Sequence, residues 1–244
     1  MTHPAGTAPA GTAPAVTPLA GTAPAGTAPA VTGPLAVLAS FRRPAPAGGP
    51  EERCEMCTEP MGAAHGHVVD RHHRSLVCTC RACYLLFTSS AAAGGRYQAV
   101  PERYRSVTDF SLTPGQWASL QIPVSVAFFF RNSALGATAA FFPSPAGATE
   151  CLLPLDTWTD VEAANPILAA LEPDVEAALV RAGGDRFECF VVPIDSCYEL
   201  VGHLRSLWRG FDGGHEVHAA MAAYFERLGQ RCRPASRLAA AGTT

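Results

Sequence analysis

The sequence predicts an α+β protein in two parts. A small cysteine-rich module of treble-clef layout comes first, followed by an α+β domain with a short, mostly antiparallel sheet and C-terminal helices. Three observations carry that prediction. Five of the nine cysteines fall within thirty residues, as Cys54-Glu55-Met56-Cys57 and Cys78-Thr79-Cys80-Arg81-Ala82-Cys83. Beyond residue 112, short apolar runs of strand character are interspersed with segments of helical period. Before residue 38 the chain is low in complexity and has no large side chain to bury.

That first segment, residues 1–37, repeats itself: the string GTAPAGTAPAVT occurs at Gly6–Thr17 and again at Gly21–Thr32. Proline every few positions removes backbone donors, and such a stretch cannot offset its ordering entropy. A disordered Ala/Pro/Gly/Thr tail of partly polyproline character is expected.

The cysteine module is placed at 38–105. Within it, His67–Asp70 and Ser75–Cys78 read as two short strands around the polar turn Arg71–Arg74. Arg81–Phe87 reads as a short helix. The α+β domain, 106–232, opens with a strand over Ile122–Arg131, a turn at Asn132-Ser133 and a hairpin partner over Ala137–Phe142. A third strand is expected at Glu150–Leu153. Helices are expected from about Thr157, interrupted at Asn165-Pro166, and over Pro173–Ala182, where proline suits a first turn and Gly183-Gly184 a stop. Phe187–Ile194 reads as an apolar strand. Ser196-Cys197-Tyr198-Glu199 has the form of a capping box, opening a helix with Tyr198, Val201, Leu204 and Trp208 on one face. A last amphipathic helix is expected from about Glu216 to Leu228, and residues 233–244 form a second disordered tail.

Two CxxC elements bring four thiolates to one point, which is how small folds hold a tetrahedral zinc. A CxxC in a tight turn supplies two sulfurs from one knuckle. The second pair, three apart at a helix start, shares a face there and gains from the helix N-terminus. The expected ligands are Cys54, Cys57, Cys80 and Cys83, with Cys78 as the alternative because it would face the same side of an extended segment as Cys80. His65, His67, His72 and His73 read as a polar hairpin. An iron–sulfur cluster on the same cysteines is the alternative cofactor, although the spacings match neither ferredoxin run and lack paired Cys-x-His elements. Four converging cysteines favour a closed structural Zn2+ over a catalytic one, which keeps an open position.

Bulk properties narrow the function further. All 18 basic residues are arginine and the net charge is −3, with no block of like charge. No nucleic-acid partner is expected from that balance. The longest apolar runs are too short for a membrane span. The chain opens without the charged start and apolar core of a secretory signal, and the clustered thiols suit a reducing compartment, so a cytoplasmic location is expected. No phosphate loop, HExxH helix or GxSxG elbow is present.

From about Phe41 to Arg233 the chain resembles an uncharacterised bacterial family, a domain of unknown function encoded near [NiFe]-hydrogenase genes. The resemblance is carried by Cys54–Cys57, Cys78–Phe87, Gly94-Gly95-Arg96-Tyr97, Val192–Val201 and Leu207–Gly214. It implies a role near hydrogenase maturation or electron transfer, with hydrogenase components as protein partners. The expectation is a non-enzymatic zinc-binding accessory or adaptor protein. The alternative is a redox or iron–sulfur accessory protein using the same cysteines.

Overall fold

The computed structural model describes residues 52–89, 92–151, 155–184, 186–210 and 213–238. The repeat tail lies outside the described residues. From Gly49 onward the chain forms one unit, and its fold is α+β, with a short antiparallel sheet, a larger sheet and C-terminal helices.

The small sheet grows from the hairpin legible in the sequence. Strands β1 (Gly66–Asp70) and β2 (Ser75–Thr79) pair antiparallel, with His67 opposite Cys78. Asp70 builds the turn between them. Its carboxylate accepts the backbone amides of His72 at 2.9 Å and His73 at 3.1 Å, and the Arg96 guanidinium at 2.8 Å. The Arg96 guanidinium beside it holds the Asp70 carboxyl well below the usual carboxylate range, against the opposing effect of burial and with help from His73. Helix α1 (Arg81–Leu86) follows, and β3 (Tyr97–Ala99) completes the order β2-β1-β3. Tyr84 of α1 packs with Val68 and Ala99, and its hydroxyl donates to the Val100 carbonyl at 2.8 Å. Gly66 is what lets the tyrosine ring lie this close: a Cβ there would stand 2.6 Å from Tyr84 Cδ2.

The large sheet takes the order β10-β4-β9-β8-β5-β6-β7. Its strands are β4 (Arg105–Val107), β5 (Val126–Asn132), β6 (Ala137–Ser144), β7 (Gly147–Cys151), β8 (Glu176–Gly183), β9 (Arg186–Pro193) and β10 (Arg233–Ala235). All neighbours are antiparallel except β10 on β4. Successive side chains alternate between faces, and both faces are buried. Phe128, Phe130, Leu179, Phe190 and Val192 face α5 (Ile194–Leu207) and α6 (Gly214–Arg231). Phe129, Val180, Cys189 and Val191 face α3 (Leu155–Ala164), α4 (Pro166–Ala169) and Trp117 of α2 (Pro114–Ser119). Small-sheet residues Val69 and Leu76, with Val100 and Tyr104, join the first of these clusters.

Four expectations are corrected. Pro173–Ala182 is not a helix: Glu176–Gly183 is the strand β8, hydrogen-bonded on both sides to β9 and β5. Its Glu-Ala-Ala-Leu run favours helix locally, but a strand with both faces buried is selected by its neighbours. Ser196 is not an N-cap. Helix α5 starts at Ile194, with Pro193 as the capping residue and no side-chain cap bond. Its buried face runs through Cys197, Leu200, Val201 and Leu204, whereas Tyr198 is 37% exposed. Finally, residues 233–235 are a strand rather than tail, docked in register on β4.

Candidate metal centre

Each cysteine of the cluster is placed by local backbone chemistry. Cys54 opens a tight knuckle in which the Thr58 amide donates to the Cys54 carbonyl at 2.8 Å and the Cys54 amide to Glu59 at 2.9 Å. Thr58 sits at φ 65°, the left-handed conformation that closes the turn. The knuckle is lashed to the hairpin through Glu55: its amide donates to the Cys78 carbonyl at 2.9 Å, and its carboxylate accepts the Cys78 amide at 2.5 Å. Cys80 occupies the N-cap position of α1, and Cys83 follows in the first turn. The Tyr84 amide donates to the Cys80 carbonyl at 2.9 Å, so the helix itself sets the spacing of this pair.

The result is a four-sulfur group. Cys54, Cys57, Cys80 and Cys83 present sulfurs that all lie within 4.8 Å of one another. Cys57 Sγ and Cys80 Sγ are 3.6 Å apart. A tetrahedron with metal–sulfur bonds of about 2.3 Å has an edge of roughly 3.8 Å, so this separation fits a shared ion. It is far too long for a disulfide, whose sulfurs bond at about 2.05 Å, and these four cysteines are free thiols. These four residues could hold a metal ion.

Their protonation is uneven. Burial alone would raise the Cys54 thiol, but amides of Cys80, Cys57 and Met56, with the Cys57 thiol, outweigh it and bring it down to about 6. Cys83 is pushed up to about 12 by burial together with its contacts with Cys57, Cys80 and Cys54. One thiolate is stabilised beside the Cys57 and Cys83 thiols, which are both pushed up. A bound cation would displace the protons of its ligands and take over the stabilisation.

Cys78 is absent from this group. Its sulfur lies instead with His65 and His67, and one donor atom from each of the three falls within 4.8 Å of the others. The sequence contains the signal for this placement, which a polar-hairpin reading passes over. His65 and His67 are two apart on an extended segment, and Cys78 is directly across from His67. Asp195, at the start of α5, accepts from His67 Nδ1 at 2.8 Å, a link between residues 128 positions apart that no local pattern could reveal.

Cys197 is fully buried, and burial, with the nearby Asp195 charge, pushes its thiol well above the ordinary value. It is no accessible nucleophile. Trp208 donates from Nε1 to the Gly210 carbonyl at 3.2 Å, closing the end of α5 on itself. Residues 211 and 212, within the Leu207–Gly214 stretch, lie outside the described residues. No helix among the described residues is long and apolar enough to cross a membrane.

Comparison with known proteins places the whole assembly in one group. No curated protein and no solved structure matches the chain. A family model covers residues 53–232, from the knuckle to the end of α6, so the match takes in the small sheet, every strand of the large one but β10, and the cysteine cluster. The chain therefore belongs to the family of unknown function DUF5947.

Proposed function

We propose that this chain is a zinc-binding accessory protein in which Cys54, Cys57, Cys80 and Cys83 hold one structural Zn2+ in a treble-clef-like module. The observation that carries this reading is the convergence of four free thiols within 4.8 Å, two of them at a separation that matches an edge of a zinc–thiolate tetrahedron. A knuckle, a hairpin and a helix bearing the second pair are the parts of a treble clef. Four sulfur ligands leave no coordination position for a substrate, so this centre organises the module and does no chemistry of its own.

The redox reading of Cys54-Cys57 is weaker on physical grounds. In a thiol-exchange pair the stabilised thiolate is the accessible one. Here the thiol lowered to about 6 belongs to Cys54, which is 1% exposed, and the exposed member is Cys57. Working by contact with another protein suits a chain whose cysteine centre is closed. The resemblance of the cysteine stretches, Val192–Val201 and Leu207–Gly214 to a family encoded near hydrogenase genes supports hydrogenase components as the partners.

The test is metal analysis on protein purified without oxygen, for the wild type and for Cys57→Ser and Cys83→Ser. Zinc bound by the wild type, and one equivalent fewer in each variant, is expected. A brown, iron-containing wild type would replace this reading with the iron–sulfur one. Co-purification of hydrogenase subunits with the tagged chain from its native host tests the partner assignment separately.

A further inference from the structure

A second set of soft and borderline donors lies beside the cysteine cluster and belongs to none of its four ligands. His67 and Cys78 face one another across the β1–β2 ladder, and His65 precedes His67 by two on the same extended run. One ligand atom from each lies within 4.8 Å of the others. The two imidazoles are tilted by 59° with centroids 4.9 Å apart, so they are not stacked on one another.

The hydrogen bonds around the rings fix which nitrogens are available. His67 Nδ1 is bonded to Asp195 Oδ2 at 2.8 Å, and His65 Nδ1 to the Gly62 carbonyl at 3.1 Å. Each bond directs the proton to Nδ1 and leaves Nε2 as the lone-pair donor. This is how metal-binding histidines are oriented: the ring nitrogen away from the metal donates to a carboxylate or a carbonyl. His65 Nε2 is, in addition, buried without any hydrogen-bond partner. An orphaned buried acceptor is costly and calls for an explanation. A cation bound at that nitrogen supplies one.

We propose that His65 Nε2, His67 Nε2 and Cys78 Sγ form a second metal centre, which binds Zn2+ with its fourth position open to solvent. Two imidazoles and one thiolate suit zinc and other late transition ions over magnesium or calcium. The open position follows from the surroundings. These three residues line a cavity of about 1060 Å³, which is also bordered by Tyr104, Asp195 and Glu199. Three protein ligands with room for water or a small exogenous donor distinguish this centre from the closed four-cysteine one. Asp195 is the positioning residue that ties the site to α5, across the junction of the two sheets.

The proposal does not depend on which metal the four cysteines hold. Its test is titration of metal-free full-length protein with Co2+ alone, followed by absorption. The wild type is expected to bind two equivalents, one with a tetrathiolate spectrum and one with weaker single-thiolate charge transfer. His65→Ala/His67→Ala should bind one equivalent with the tetrathiolate spectrum intact, which also reports that the module is folded. Asp195→Asn should keep both equivalents and weaken the second by about 10–100-fold. Added azide should shift only the single-thiolate bands. Wild type that saturates at one equivalent with the tetrathiolate spectrum alone, a double variant that still binds two, or azide-insensitive bands would each overturn the proposal, whereas one equivalent with single-thiolate bands alone would count against the four-cysteine reading instead. If the double variant fails to fold, Cys78→Ser reads the same site. Loss of the single-thiolate bands alone supports the proposal, and their persistence refutes it.

Discussion

The two sheets of this molecule are held by different physics. The seven-stranded sheet is buried on both faces, with Phe128 and Phe129 at 1% and 0% exposure on opposite sides of one strand. The three-stranded sheet has a cluster of its own with only Val68, Tyr84 and Ala99 buried in it. So small an apolar cluster is too little for a module of this length to fold alone, and small folds make up the difference with metals or disulfides. Here polar contacts add to it, the Asp70–Arg96 pair and ion pairs to the larger sheet such as Arg71–Asp174 at 3.0 Å, beside four thiols that could hold a metal ion. Burial on both faces dominates one region, whereas in the other directed bonds add to a small cluster and to the apolar contact that Val69 and Leu76 make with the first.

Removing the metal should therefore separate the regions most sharply. Structural zinc contributes on the order of 10 kcal/mol to small metal-dependent folds. Cys57→Ser or Cys83→Ser should expose residues 53 to about 89 to limited proteolysis while the large sheet stays protected. Equal protection of both regions in either variant would erase the distinction. The converse perturbation is Phe129→Ala, which removes a ring stacked 4.2 Å from Trp158. It should cost about 3–5 kcal/mol, read as a lower midpoint in denaturant for the large sheet, with zinc still bound by the partly folded protein.

The same contrast explains what could be read from the chain in advance. The hairpin, α1 and the four-cysteine group were legible because ligand spacing, turn residues and short-range hydrogen bonding are local. The strands β5, β6 and β9 were legible because their apolar runs are long and aromatic or β-branched. Strand β8 was not, since Glu-Ala-Ala-Leu has helical propensity and only its place between β9 and β5 decides otherwise. Ser196 looked like a cap but is engaged in tertiary contacts, with its hydroxyl 2.6 Å from that of Tyr104. A genuine capping box, at Thr113 and Gln116 with Pro114 between them, carries the signature in plain view and opens α2. Strand β10 and the His67–Asp195 contact depend on residues more than a hundred positions away, and no window on the sequence contains both partners.

Two smaller effects sharpen the comparison within the module. Gly66→Ala would place a Cβ 2.6 Å from the Tyr84 ring and should cost about 1–3 kcal/mol, felt as faster hydrogen exchange in β1 and α1 and not in the large sheet. Uniform loss of protection would show that the two regions unfold as one. The Asp70 pair sets the acid limit. The folded-state pKa of Asp70 lies below its unfolded value of about 3.9. Its contribution is therefore fully present above that value and is lost as pH falls towards the folded pKa. Melting of the module should drop below about pH 4, and Asp70→Asn should flatten that limb while lowering stability at neutral pH.

The central claim is that four cysteines, and no other residues, enclose a structural zinc. It is tested most directly by zinc-edge X-ray absorption on His65→Ala/His67→Ala protein, in which the four-cysteine centre is left on its own. The predicted result is one zinc per chain with a single shell of four sulfurs at about 2.3 Å. A shell containing nitrogen or oxygen, or iron in place of zinc, would contradict it.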